Sequence, residues 1–110
     1  MERRVIPSPM KPQWFQILLA LARQPLHGYG IQRAVLERTA DQMRLWPAML
    51  YRSLATLEEE GLLEQVAAPD GEPDDERRQY YALTREGRER LRRESELLAR
   101  WARAAEAELS

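Results

Sequence analysis

Residues 50–64 read LYRSLATLEEEGLLE, and two different periods meet inside this stretch. Leu50, Leu54 and Leu57 fall at i, i+4 and i+7, one stripe of a helix, and the pattern starts at Pro47, a residue suited to the first helical position. Gly61 stands where a left-handed cap residue ends a helix, and LLEQVA beyond it alternates as a strand. The spacing therefore predicts a helix over 47–60 that turns straight into a strand. Its outward face presents Ala48, Met49, Arg52, Ser53 and Thr56, side chains of modest size near the helix N-terminus, with Arg52 the one cation. Glu58, Glu59 and Glu60 crowd the last turn, where the helix dipole disfavours each by ~0.3–1 kcal/mol and where they would turn a polyanion away.

Upstream, PQWFQILLALAR (residues 12–23) brings Trp14, Ile17, Leu18 and Leu21 round at helical spacing from a leading proline, and Pro25 stops it. HGYGIQRAVLERT (27–39) predicts a second helix with a narrower buried face, Tyr29 or Ile31 with Ala34, Val35 and Arg38. The segment 40–46, ADQMRLW, has no period and reads as the connection into Pro47. Residues 1–11, with Pro7 and Pro9, form an arm.

Downstream of the first strand, APDGEPDDER is rich in turn formers and RQYYALT returns as a second strand. An isolated hairpin is marginal in water, so it must rest on the helices through residues such as Leu63, Val66, Tyr81 and Leu83. Thr84 offers a helix-capping hydroxyl, and the sequence then runs without proline to residue 109, about seven turns of helix. Leu91, Leu98 and Ala105 recur every seven residues, with Ser95, Ala102 and Leu109 between them, a seam for pairing two helices. A lone surface helix cannot hide Leu97, Leu98 and Trp101 together, whereas a second chain can. The fold class is mainly α with a small β-hairpin: a winged helix-turn-helix (12–84) between an N-terminal arm (1–11) and a C-terminal dimerisation helix (85–110).

Composition narrows the chemistry. With 110 residues and 32% of them charged, the chain has the length of one small domain and a modest interior. There is no cysteine, so disulfides, thiolate metal sites and cysteine nucleophiles are excluded. His27 is the one histidine, which removes a histidine metal cluster and leaves a catalytic triad without its base. The acidic run DGEPDDE lacks the spacing of a calcium loop and is interrupted by Pro73, so no metal or other cofactor is expected, and no enzyme. The longest apolar run, residues 17–22, is far too short to cross a bilayer, and no signal-peptide core precedes it; a cytoplasmic protein without membrane contact is expected. The net charge of −1 conceals an uneven distribution. Residues 1–57 carry eight basic and three acidic side chains, whereas residues 62–84 carry two arginines against six acids. Only the first part attracts phosphate. A major-groove helix with a bracing wing fits this pattern, and so does a protein-interaction version of the same fold without specific DNA binding.

Three blocks, LHGYGI (26–31), PAMLYRSLATLEEEGLLE (47–64) and RRQYYALTREGRERL (77–91), resemble in content and order the signature of PadR-type transcriptional regulators, over residues 14–91. The short C-terminal part is similar to the small subfamily, in which one helix pairs with that of its mate. The resemblance implies a homodimeric repressor of double-stranded DNA, with the 47–60 helix in the major groove and a wing at the backbone. Carried over by position, Tyr51 and Arg52 face DNA together with Ala48, Met49, Ser53 and Thr56, and Arg77 and Arg78 sit at the base of the wing. It also implies a planar hydrophobic effector at the dimer interface, for which Trp101, Leu98 and Trp14 are the candidate contacts. The chain departs from the family's pattern at Ala48 and Met49, where a glycine and a hydroxyl residue are usual, and at Ala55 and Thr56, where basic residues are common.

Overall fold

A computed structural model describes residues 6–69 and 79–110. Their elements run α1 (Pro12–Ala20), β1 (Leu26–His27), α2 (Gly28–Arg38), α3 (Pro47–Glu59), β2 (Leu63–Val66), β3 (Tyr80–Leu83) and α4 (Arg85–Leu109). This is a winged helix-turn-helix with an added C-terminal helix. Arg3, Arg4, Arg77, Arg78 and the acidic residues 70–76 lie outside the described residues.

Prolines at the first helical position open both α1 and α3, where the missing N–H costs nothing. α2 is capped by His27, whose Nδ1 accepts the Gly30 N–H at 3.1 Å, and α4 by Thr84, whose hydroxyl oxygen accepts the Gly87 N–H at 2.9 Å. Between α2 and α3, Ala40 and Asp41 both take left-handed φ values, and Gln32 donates to the Leu45 carbonyl. These contacts set the course of the aperiodic segment 40–46. Leu50, Leu54 and Leu57 of α3 meet Ile17 and Leu18 of α1 and Ile31 and Val35 of α2 in one core. Of Tyr29 and Ile31, Ile31 is the one that joins Val35 on the buried face of α2 and Tyr29 is exposed, while Arg38 lies on the exposed face.

The sheet has three antiparallel strands in the order β1-β3-β2, one more than the hairpin. Leu26 and His27 pair with Tyr81 and Tyr80, a two-residue strand too short to carry any period in the sequence. With β3 central, neighbouring tyrosines on opposite faces are both buried. Tyr81 joins the helical core, and Tyr80 meets the His27 ring edge-on, centroids 5.3 Å apart.

The arm is a built element in residues 6–11. Ile6 and Met10 are buried, and Glu94 of α4 accepts the Ser8 hydroxyl at 2.7 Å and the Met10 N–H. Arg90 donates to the carbonyls of Ile6 and Pro7, at 3.0 and 2.8 Å, and lies 3.7 Å from Glu94. Leu91 is therefore spent on the chain's own core rather than on an intermolecular seam. Beyond residue 98 every side chain of α4 is exposed. The Cα radius of gyration, 15.2 Å, exceeds the ~13 Å of a compact chain of this length because α4, about 37 Å long, projects from the body. No helix among the described residues is long and apolar enough to cross a membrane.

Candidate nucleic-acid interface

The outward half of α3 is narrower than its sequence suggests. Ala48, Tyr51, Arg52 and Ala55 are exposed, Met49 and Thr56 are half-buried, and Ser53 is only 6% exposed. Ser53 is a correction: it lies on the Leu50–Leu54–Leu57 side of the helix, turned towards the arm and the start of α1, not outward. At 100° per residue the middle of the exposed face falls on Ala48, Arg52 and Ala55, while Met49, Ser53, Thr56 and Glu60 form a flank. That flank lines a cleft of about 290 Å³ whose other wall is Ile6, Pro7, Lys11 and Trp14. The Thr56 hydroxyl donates to the Arg52 carbonyl at 3.1 Å.

The two ends of α3 differ in charge. Its first turn has no acidic residue, and no side chain caps it, so the amides of Ala48 and Met49 and the positive end of the dipole remain available to an anion. Arg44 lies 5.5 Å from the centre of the exposed Trp46 ring beside that terminus. At the far end Glu58 accepts Gln65 Nε2, at 3.2 and 3.3 Å, which fixes a carboxylate against β2. Attraction at one end and repulsion at the other select the N-terminal half of α3 for phosphate.

Tyr51, 54% exposed, lies across Gly28: a methyl group there would come within 2.5 Å of its hydroxyl. Next to Gly28, Tyr29 is exposed, stacked on His27 with centroids 6.3 Å apart and approached by Arg33 at 5.9 Å. A surface of Tyr29, Tyr51, Arg52, Arg44 and Trp46 thus spans the starts of α2 and α3. Sequence reasoning did not place Tyr29, Arg33 and Arg44 on this surface because they sit outside α3, although arginine beside an aromatic residue was there to be read. Burial, then the neighbouring Glu58 and Tyr51, raise the Tyr81 hydroxyl above its ordinary pKa of 10.0, so it stays a neutral core group.

The other interlocks join the same sequence blocks. Gly61 takes φ +79° and lets the chain leave α3 for β2. Thr84 donates its hydroxyl to the Gly61 carbonyl and its N–H to Leu62 O at 3.1 Å, and a Cβ on Gly87 would sit 2.0 Å from that same oxygen. The glycines and the threonine of the three blocks are therefore contact points between α2, α3, the sheet and α4.

The Transcriptional regulator PadR-like family matches residues 17–93, most of the chain and all of these interlocks. The chain belongs to this family. The family is one of regulators, not enzymes. Over 84 residues the chain is 40% identical to an uncharacterized 37.1 kDa protein in transposon TN4556 of Streptomyces fradiae, which covers 76% of this chain but only 22% of that protein. The PadR-like regulator of Bacillus cereus superimposes with a TM-score of 0.73 at 19% identity, over 88% of this chain and 90% of that one. Bacillus subtilis PadR, solved in complex with operator DNA, superimposes with a TM-score of 0.61 at 23% identity, over 74% of this chain and 45% of its own. At these identities the two structures establish the shared fold.

The three side chains named for an effector do not gather within one chain. Leu98 and Trp101 share one face of α4, one turn apart, whereas Trp14 lines the cleft beside α3. Leu98 borders instead a mainly apolar hollow of about 250 Å³ with Pro9, Met10 and Phe15. Among the described residues no group of three histidine, aspartate or glutamate side chains is placed to hold a metal ion.

Proposed function

We propose that the chain is a homodimeric repressor that works in the cytoplasm and binds a palindromic operator through the N-terminal half of α3. The carrying observation is the surface of Ala48, Met49, Tyr51, Arg52 and Thr56, free of acid in its first turn and flanked by Arg44, Trp46 and Tyr29. The operator complex of the Bacillus subtilis relative supports the same use of the fold. Arg77 and Arg78 complete the proposal as backbone contacts at the base of the wing. Homodimerisation is supported by Leu98 and Trp101, 39% and 50% exposed on the projecting helix, and by the apolar hollow that Leu98 borders. A flat hydrophobic effector would stack on these two residues in the dimer.

Selection from a random duplex pool tests the reading. An inverted repeat with half-site centres about one helical turn apart is expected, and an unenriched pool refutes sequence-specific binding. Arg52→Ala should weaken the selected duplex by roughly tenfold, within the range of one good base or phosphate contact. The competing reading, a protein-interaction module, draws on the apolar Ala48 and Ala55 at the middle of the exposed face. It predicts partner capture with no salt-dependent affinity for any duplex.

A further inference from the structure

An α-helix with its side chains is about 10–12 Å across and the major groove of a duplex is about 12 Å wide, so a helix seated there has a phosphate rim along each flank. The two flanks of α3 are built differently. On one side Tyr51 lies across Gly28, next to the exposed Tyr29 of α2. On the other side Met49 and Thr56 border the cleft of about 290 Å³ whose far wall is the arm and the start of α1. A rim that follows this second flank has to meet that cleft.

The charge of the cleft suits a phosphate. Lys11 and Arg52 stand on its two walls, both exposed, and no carboxylate pairs with either among the described residues. Gln13 adds an amide donor on the α1 side. Glu60, the one acid of the lining, follows Arg52 by eight residues, about 12 Å along the helix and beyond a Debye length at physiological salt. It therefore opposes an anion at Arg52 only weakly.

Lys11 is also placed in advance. Its ammonium rests 4.9 Å from the centre of the Trp14 ring, and Glu94 grips Ser8 and Met10 immediately before it on the chain. A flexible cation held at the cleft loses less side-chain freedom on contact than one on a free tail.

We infer that the junction of the arm with α1 is a further backbone contact of the duplex: the rim along the Met49–Thr56 flank enters the cleft, and the Lys11 ammonium and Gln13 amide bind one phosphate per half-site beside Arg52. This rests on the DNA-binding reading of α3. The contact adds affinity and fixes register, and it leaves base choice to α3.

Titrations of a selected and a random duplex over a range of salt test it, with wild type, Lys11→Ala, Lys11→Arg and Gln13→Ala. Lys11→Ala should weaken both duplexes alike, roughly threefold or more, and lower the salt slope by about 0.9, the value for one neutralised phosphate. Lys11→Arg should keep the wild-type slope, and Gln13→Ala should lose affinity for both duplexes with the slope kept. Neutral methylphosphonates placed one at a time in the selected duplex locate the phosphate: one position per half-site should weaken wild type and leave Lys11→Ala unaffected. An unchanged slope in Lys11→Ala, a loss confined to the selected duplex, or the same methylphosphonate profile in both chains overturns the contact. Inorganic phosphate tests the other source of this chemistry. Amide shifts at Lys11, Gln13 and Trp14 that saturate with inorganic phosphate, together with a duplex slope that Lys11→Ala leaves intact, would assign the cleft to a free anion and overturn the contact. Wild type that binds neither duplex at any salt overturns the DNA reading of α3 itself, a result distinct from salt-dependent binding that ignores Lys11.

Discussion

At Gly87 one methyl group would force α4 away from the hairpin. The added Cβ would lie 2.0 Å from a backbone oxygen, Leu62 O, which no side-chain rotation can move. Gly87→Ala should therefore cost about 3 kcal/mol, visible as a lowered urea midpoint at constant slope. Gly28→Ala offers the contrast, because its methyl would meet the free end of the Tyr51 side chain. That variant should stay within about 1 kcal/mol of wild type in stability yet lose duplex affinity, as Tyr51 is pushed off its place. Equal loss of stability in the two variants would show that Tyr51 is as immovable as backbone. At Tyr81, the raised pKa means that the folded chain holds this proton more tightly than the unfolded chain does. Its contribution is complete below the ordinary value of 10.0 and is lost as pH rises through the higher folded value, so alkaline melting temperatures should fall less in Tyr81→Phe than in wild type.

At the scale of elements, the arm and α4 act as one piece. Glu94 is 3% exposed and is held by the Ser8 hydroxyl, the Met10 amide and Arg90, while Arg90 also caps the carbonyls of Ile6 and Pro7. Removing one member of such a buried charged network leaves the other desolvated, so Glu94→Ala should cost about 3 kcal/mol. Hydrogen exchange provides the sharper readout: protection should be lost at residue 10 while α1 and α3 keep theirs. The sequence shows the arm only as a proline-bearing stretch without period, because its partners are 84 and 86 residues away along the chain. β1 is hidden for the same reason. Two residues have no periodicity, and only pairing with Tyr80 and Tyr81 makes Leu26 and His27 a strand.

At the scale of the molecule, the projecting half of α4 leaves Leu98, Trp101 and Leu109 in solvent in a single chain. Hiding Leu98 and Trp101 against a second copy would contribute about 2–3 kcal/mol for each side chain fully covered. The proposed homodimer therefore predicts that wild type sediments as a dimer and that Leu98→Asp with Trp101→Asp sediments as a monomer. If both sediment alike, this face is not the dimer contact. A monomer should also lose the half-site symmetry of duplex binding, since two-fold operators mirror two-fold proteins.

What the sequence by itself determined was local: the 3.6-residue stripes of α1, α3 and α4, the prolines that open two helices, the cap at Thr84, the left-handed turn at Gly61, and the ordered blocks by which the family is recognised. Each depends on neighbours within a few residues, so it is written in spacing alone. The tertiary structure decided what spacing leaves open. Ser53 sits on a helical position that is compatible with solvent or with burial, and the arm and the start of α1 turn it inward. Leu91 was read into a seam between chains, and packing against the chain's own core claims it instead. The cleft beside α3 exists because two stretches distant in sequence, residues 6–14 and 49–60, enclose it, and no period along the chain records such an enclosure.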